Sequence, residues 1–298
     1  MPTPAIYYPT ASVRPGPVTI RHIENVNPNW NTEEFDVTMG GDATAGFRGS
    51  HSAAPVATFD SNNLGTILAV FDVEGVAKCY SSGAIDLEWR KGQACGSRVA
   101  IASSAHLITR FQTSGFLALE RISARQGGIA KGSFRVASAY DGTNAPMVGL
   151  ASQAITGSGN STDHYGLGPV SLNGSSLTGV QSFDWDSNLE YENEASDGSD
   201  WQDWISIRAV NPMITLRSRN TDLFRTYGGA GVAVTAGTFY LRKRSAGGGS
   251  VANGTSAHIK ITTTSGRAYC RQISGADAGI ELQIKLSNWT IATGEAIT

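Results

Sequence analysis

The chain repeats itself, and a repeat of this length admits two versions of one scaffold before any other fold. Ser104-Ala105-His106-Leu107-Ile108-Thr109 returns as Ser256-Ala257-His258-Ile259-Lys260-Ile261-Thr262. Thr113-Ser114-Gly115 returns as Thr264-Ser265-Gly266, and Ile122-Ser123 as Ile273-Ser274. The offsets are 152 (258 − 106) and 151 (265 − 114 and 273 − 122), a constancy that unrelated matches do not show. Upstream, Pro55-Val56-Ala57-Thr58-Phe59-Asp60-Ser61 aligns with Pro212-Met213-Ile214-Thr215-Leu216-Arg217-Ser218 at 157 (212 − 55). Gly83-Ala84-Ile85-Asp86-Leu87 is matched to Gly237-Thr238-Phe239-Tyr240-Leu241. Five blocks in one order predict two tandem domains, in which Pro55 and Pro212, like His106 and His258, hold equivalent structural positions.

A chain of 298 residues accommodates two domains of ordinary size, each with its own core. The formal net charge of −2 argues against a surface built to grip nucleic-acid phosphates. The three cysteines, Cys79, Cys95 and Cys270, lack metal-ligand spacing and are odd in number, which points to a reducing site of synthesis. The start, Met1-Pro2-Thr3-Pro4-Ala5, shows neither the charge nor the apolar run of a signal peptide. No stretch of about 18 apolar residues predicts a membrane span. The expectation is a soluble chain made inside a cell.

Abundant Gly (35 residues) and short alternating segments between turn residues predict a mainly antiparallel β protein. The clearest alternation runs from Phe183 to Glu192. Phe183, Trp185, Leu189 and Tyr191 share one face, and Asp184, Asp186, Asn188, Glu190 and Glu192 the other. Trp204 to Leu216 is its expected partner, returning after the turn Asp197-Gly198-Ser199-Asp200. Further strands are expected at Val18–Glu24, Ala84–Arg90, Val99–Thr109, Leu117–Ile122, Ser133–Tyr140, Thr238–Arg244, His258–Thr264, Ala268–Ile273 and Ile280–Lys285. Each half carries one short helix. Asp60 to Asn63 supply cap candidates before Leu64, Ile67, Leu68 and Phe71, and Asn220 to Tyr227 forms the counterpart. These readings divide the chain into an N-terminal arm (1–15), a first domain (16–145), a linker (146–176), a second domain (177–287) and a C-terminal arm (288–298). A longer insertion, about Asn25 to Ala54, is expected as a loop in the first hairpin.

Candidate chemistry is sparse. Asp184-x-Asp186-x-Asn188 opens like a calcium loop, but Leu189 and Ala195 stand where that loop needs Gly and Glu. The acidic residues could serve glycoside hydrolysis, yet strand alternation already accounts for them as a wet face. The five histidines lack HExxH or His-x-His spacing, and no nucleophile elbow, Walker loop or dinucleotide fingerprint occurs. Six tryptophans could stack on sugars or anchor a core. The residues point to no catalytic centre, no metal and no cofactor.

Several phrases resemble the tail tube (major tail) proteins of long-tailed bacteriophages. They are Gly168-Pro169-Val170, Gly179-Val180-Gln181-Ser182 before a long hairpin, Ile205-Ser206-Ile207-Arg208 with Asn211 to Leu216 on its return, and Tyr140 to Pro146. The resemblance spans about Gly16 to Ser287. It implies β-sandwich domains flanked by a helix, whose long hairpins join edge to edge in a ring. A two-domain chain would close that ring as a trimer with pseudo-sixfold symmetry. Rings would stack into a tube through which double-stranded DNA passes without specific binding. Tape-measure, tail terminator and baseplate proteins would be the partners, the virion tail the location, and the bacterial host cytoplasm the place of synthesis. Asp184, Asp186, Asn188, Glu190 and Glu192 would then face the lumen. The rival readings are a tandem β-sandwich adhesin or carbohydrate-binding protein, a hydrolase using the acidic cluster, and a baseplate or secreted tube ring protein.

Overall fold

The computed structural model describes all residues except 1–6, 16–19, 21–22, 31–32, 38–46, 52–54, 81–84, 94–96, 157–162, 197–198, 200, 229 and 275–278. Short alternating segments produce what the pattern demands, a mainly β, sandwich-like fold with large antiparallel sheets. The first half contains β1 (Tyr7–Pro15), β2 (Ile23–Asn29), β3 (Glu33–Val37), β4 (Phe47–His51), β5 (Val56–Ser61), helix α1 (Leu64–Leu68) and β6 (Ala77–Tyr80). It continues through β7 (Ile85–Lys91), β8 (His106–Phe111), β9 (Gly115–Arg125), β10 (Lys131–Ser138) and β11 (Met147–Gln153). The second half contains β12 (Tyr165–Leu172), β13 (Ser175–Leu177), β14 (Val180–Asp186), β15 (Leu189–Glu194), β16 (Trp204–Val210) and β17 (Met213–Ser218). Helix α2 (Leu223–Tyr227), β18 (Val232–Val234), β19 (Gly237–Lys243), β20 (His258–Ser274) and β21 (Gly279–Glu295) complete it.

Strands β1-β7-β8-β11 form one sheet of the first half. The main sheet runs β13-β12-β19-β20-β21-β17-β14-β9-β10-β5-β2, with β18 on β20 and β6 on β9, and therefore crosses both halves. Leu87 and Phe111 of the small sheet, Leu119 and Phe134 of the large one and Phe183, Trp185, Phe239 and Ile261 of the second half all enter one buried apolar cluster. Burying such side chains contributes roughly 1.5–3 kcal/mol each.

The registers of the two halves correspond. Ile85 pairs with Phe111 as Gly237 pairs with Thr263, both at an offset of 152 (237 − 85 and 263 − 111). Ser61 pairs with Gly132 as Ser218 pairs with Ile280. Gly115 pairs with Ser138 as Gly266 pairs with Leu286. At those two glycines a Cβ would lie 2.1 Å from the Ala137 carbonyl oxygen and 2.5 Å from that of Lys285, so a side chain would force adjacent strands apart. Strands β8 and β9 together answer to β20, and β10 and β11 to β21. In the first half the ladder breaks between Phe111 and Gly115, whereas β20 carries its irregularities at Thr263 to Gly266 and continues.

Two buried histidines explain why their motif is the best-kept part of the repeat. The His106 ring is fully buried; its Nδ1 accepts the Lys91 N–H at 3.1 Å, and Nε2 lies 2.9 Å from the Ala100 carbonyl. His258 is equally buried; Nδ1 accepts the Lys243 N–H at 3.0 Å, and Nε2 lies 3.1 Å from the Ala252 carbonyl. Acceptance at Nδ1 places the ring hydrogen on Nε2, where it donates to the carbonyl. Each ring thus ties the end of one strand to the turn before the next. Isolated bridges Gly92↔Arg98 and Arg244↔Ser250 close the same turns. The helices are entered alike too: Ser61 Oγ accepts the Asn63 N–H and Ser218 Oγ the Asn220 N–H, both at 3.0 Å.

Several expectations need correction. Pairing equates Ile85, not Gly83, with Gly237; residues 81–84 lie outside the described set. The N-terminal arm contains β1, which pairs with β7. The C-terminal arm is the second half of β21 on β20, with Ile297 buried beyond it. The linker carries β11, β12 and β13 because its Gly-rich alternation still satisfies strand ladders on existing sheets. Corresponding elements thus run from Tyr7 to Thr156 and from Tyr165 to Thr298. Thr156 N and Oγ1 donate to Glu88 Oε1 at 3.0 and 2.6 Å, and Thr298 Oγ1 lies 3.4 Å from Tyr240 Oη, at matching strand positions. The Asn25–Ala54 insertion contains the end of β2 and the β3–β4 hairpin. Val99 to Ala105 is a turn-rich approach to β8, not strand. The expected strand Val18–Glu24 falls largely outside the described residues, as does the turn Asp197-Gly198-Ser199-Asp200, of which Ser199 alone is described. Asn63 stands at the N-cap of α1 without a side-chain cap hydrogen bond, and its own N–H is taken by Ser61 Oγ in the turn before the helix.

His106→Ala and His258→Ala each remove a fully buried ring and leave a part-buried backbone N–H and carbonyl without their partner. Each is expected to lower unfolding free energy by about 2–4 kcal/mol, read from urea midpoints, with the effects of the distant sites adding.

Candidate functional site, a strand junction between the halves

The two halves meet edge to edge. β14, an outer strand of the second half, pairs antiparallel with β9 of the first: Ser182↔Arg125, Phe183↔Ala124, Asp184↔Ser123, Trp185↔Ile122 and Asp186↔Arg121. Phe183 and Trp185 point into the core, Trp185 being fully buried. On the opposite face Arg121 Nη2 donates to Asp184 Oδ1 at 2.7 Å, and its Nε lies 3.6 Å from Asp186 Oδ1. Burial pushes the Asp186 carboxyl above the usual carboxylate range; Arg121 pulls it partly back, and Asp184 adds to the rise. A second tie joins the halves at Asp163, which accepts from Lys243 Nζ at 2.9 Å, Tyr165 Oη at 3.2 Å and Thr66 Oγ1 at 3.3 Å.

Beyond the junction the chain folds back over the first half. Ser187 is buried and Asn188 takes φ +42°, a left-handed conformation that Asn tolerates better than most residues. The alternation from Phe183 to Glu192 is therefore two strands, β14 in the main sheet and β15 in a separate hairpin with β16. Asn211-Pro212 divides the return in the same way. Leu189, Tyr191, Ile205 and Ile207 of this hairpin pack on Ala77, Phe116, Ala118 and Ala137 of the first half. The Tyr191 ring meets Phe116 edge-on at 5.5 Å, and its hydroxyl accepts from Arg135 Nη1 at 3.0 Å. The tip is fastened by Tyr140 N–H to the Gln202 carbonyl at 2.7 Å, and by Trp201 against Tyr140 and Trp30.

The five acidic-face residues consequently occupy two places. Asp184 and Asp186 lie half-buried on the main sheet with Arg121, whereas Glu190 and Glu192 are exposed on the hairpin's outer face. Asn188 sits at the bend, its Nδ2 donating to the Asn211 carbonyl at 3.0 Å. Pro55 and Pro212 are buried one residue before β5 and β17, where a missing N–H costs no ladder bond. Arg121, Arg135 and Phe116 escaped the sequence reading. Their partners lie about sixty residues along the chain, and only the β9–β14 pairing brings them together.

The junction has two loose ends. β2, which stands on β5 as β14 stands on β17, is the last strand at one edge of the main sheet. The end of β20 answers to the stretch of β9 that receives β14, and among the described residues it pairs on one side alone, with β21. No protein-family model matches the chain, and no curated protein matches it.

Arg121→Met is expected to weaken the fold by about 1 kcal/mol, modest because the guanidinium is half exposed. The Asp186 carboxyl has a raised folded-state pKa, so its ionisation costs stability as pH rises above about 4. Asp186→Asn should remove that slope from a stability–pH profile measured by urea unfolding.

Proposed function

We propose that this chain is a structural protein whose copies join edge to edge into a ring, and that stacked rings form a hollow tube. The supporting observation is the β14–β9 junction. It joins unlike edges, and besides the outermost strand β13 the sheet carries one further edge of each kind, β2 and the end of β20. A junction of unlike surfaces propagates until rotation closes it, giving a ring, or fails to close, giving a filament. Three copies carry six halves, so the internal junction and the junction between copies alternate around a six-unit ring. Unpaired edges on a free chain favour aggregation, and closure removes them.

The particular reading that fits best is a tail tube protein of a long-tailed bacteriophage, as the sequence resemblance implies. The tube would be a conduit for DNA ejection, with tape-measure, terminator and baseplate proteins as neighbours in the virion. Glu190 and Glu192, exposed on the hairpin, suit a lumen that repels phosphate and lets DNA slide, with Asp184 and Asp186 half-neutralised by Arg121. A baseplate or secreted tube ring would use the same junction. One observation favours a second reading, carbohydrate binding. Trp204 is 58% exposed beside an open pocket of about 810 Å³ lined also by Tyr140, Asp141, Glu194 and Asp203. Stacking aromatics beside carboxylates recognise sugars; in the ring reading the same surface meets a neighbouring ring.

Carrying the internal register outward sets Asn29 opposite Gln272 and Asn27 opposite Ser274 of the next copy. With Cys79, Cys95 and Cys270 changed to Ser, Asn29→Cys combined with Gln272→Cys should oxidise to covalent species that end at three chains on a denaturing gel. Negative-stain images should show rings or tubes. An unlimited covalent ladder would rule out closure, and a chain that stays monomeric and binds a glycan array would sink the tube reading.

A further inference from the structure

The hairpin β15–β16 has a counterpart in the first half, β3–β4. β3 and β4 pair with each other and join no other sheet. Their register repeats that of β15 and β16 at an offset of 157. Glu34↔Ser50 corresponds to Tyr191↔Ile207, Asp36↔Arg48 to Asn193↔Ile205, and Val37↔Phe47 to Glu194↔Trp204. A two-stranded hairpin is marginal in water unless it packs against something. β15–β16 packs on the outer face of the first half, where β9 and β10 supply Phe116, Ala118 and Ala137. The matching positions of β20 and β21 are Arg267, Tyr269 and Lys285, with Arg271 answering Glu120.

That second face is basic and open. Arg267, Arg271 and Lys285 are exposed, and among the described residues none of them makes an ion pair. Arg267 donates to the Ala230 carbonyl at 2.8 Å and stands over the Tyr269 ring at 5.8 Å; Arg271 donates to Gln283 at 2.8 Å. Tyr269, Cys270, Arg271 and Lys285 line an open pocket of about 410 Å³. The strand positions that would face it from a counterpart hairpin hold Glu34 and Asp36, where β15 has Tyr191 and Asn193.

We propose that the β3–β4 hairpin docks on the β20–β21 face of a neighbouring copy, and that acid-on-base pairing there replaces the apolar contact made inside the chain. The occupant is a second copy of this chain because the same chain already seats one hairpin at the equivalent face. The charge signs agree as well: the hairpin positions hold two acids, Glu34 and Asp36, against one cation, Arg48 opposite Asp36, and meet three cations on the face. Within the chain Tyr191 sits on Phe116, so between copies Glu34 of one meets Arg267 of the next. The proposal rests on the ring reading and adds a second contact to its strand junction.

The test is a charge swap in the full chain. Glu34→Arg and Arg267→Glu should each weaken self-association about tenfold or more, measured by sedimentation equilibrium, and the double variant should recover most of the loss. Wild-type association should also weaken as salt rises from about 0.1 to 1 M, where the screening length falls from about 10 to 3 Å. Circular dichroism and urea midpoints of all variants should match the wild type, since Arg267 is exposed and β3–β4 joins no core sheet. If wild type forms rings and the single variants associate equally well, the hairpin contact is overturned while the ring stands. Weakening without recovery in the double variant overturns the Glu34–Arg267 pairing. Loss of polyanion binding in Arg267→Glu with association unchanged assigns the face to a polyanion instead. A wild-type chain that never self-associates removes the ring reading, and the hairpin contact falls with it.

Discussion

Backbone hydrogen bonding at strand edges governs this molecule. An antiparallel sheet is satisfied everywhere except at its two outermost strands, and exposed edges invite other strands. Here the second half resolves one of its edges on the first half, through five paired positions from Ser182↔Arg125 to Asp186↔Arg121. The rest of the architecture follows from that union. It fuses the halves into one sheet and one core and brings Arg121 to Asp184. It also sets the Ser187–Asn188 bend at a height that lays the next hairpin across Phe116 and Ala118. It leaves β2 and the end of β20 as unlike edges, which is the geometry the ring reading uses.

Conservation between the halves follows how buried each group is. His106 and His258 are fully buried and each satisfies a backbone donor and a backbone acceptor, so any replacement must do the same. Ser61 and Ser218 perform the same turn before each helix, and Gly115 and Gly266 permit the same close approach of a neighbouring carbonyl. Outer faces carry no such constraint. Phe116, Ala118 and Ala137 in one half correspond to Arg267, Tyr269 and Lys285 in the other, a change that leaves the inward-facing Leu117 and Ala268 buried.

The sequence made the framework legible because period-2 alternation and buried hydrogen-bond partners are local signals. Strands β7, β9, β10 and β19 fall within a few residues of their expected places. Errors arose where the deciding contact is distant. Tyr7 to Pro15 is held by backbone pairing to β7, far along the chain, and Asn288 to Glu295 by pairing to β20, with Trp289 and Ile291 also packed on the core. The match of Gly83 to Gly237 followed residue identity, whereas the ladder equates positions by their partners, Phe111 and Thr263. The acidic face of residues 184 to 192 was legible as alternation. Its division by the bend at Ser187 and Asn188 was not, since Asn in a left-handed conformation leaves no period in the pattern. The cation that neutralises Asp184 was hidden altogether until β9 and β14 were paired.

If copies dock as proposed, the two hairpin contacts differ in chemistry for a physical reason that depends on when each forms. The contact inside the chain forms as the polypeptide folds, at the high effective concentration that a covalent link provides. Its apolar residues, Leu189, Tyr191, Ile205 and Ile207, are therefore shielded in the free chain. The proposed contact between copies would have to wait for a partner, with the β20–β21 face exposed until then. Apolar patches exposed for that time would drive non-specific association, whereas charged surfaces remain soluble and add orientation when they meet. The same division holds at the strand edges. Arg121, Asp184 and Asp186 form a closed ionic group within the chain. The corresponding positions offered to a neighbour, Gln272, Asn27 and Asn29, are uncharged, so no copy presents a lone carboxylate pair to the wrong edge. In the proposed ring, the difference between the outer faces of the two halves thus gives one junction suited to folding and another suited to assembly, on halves whose strand registers correspond.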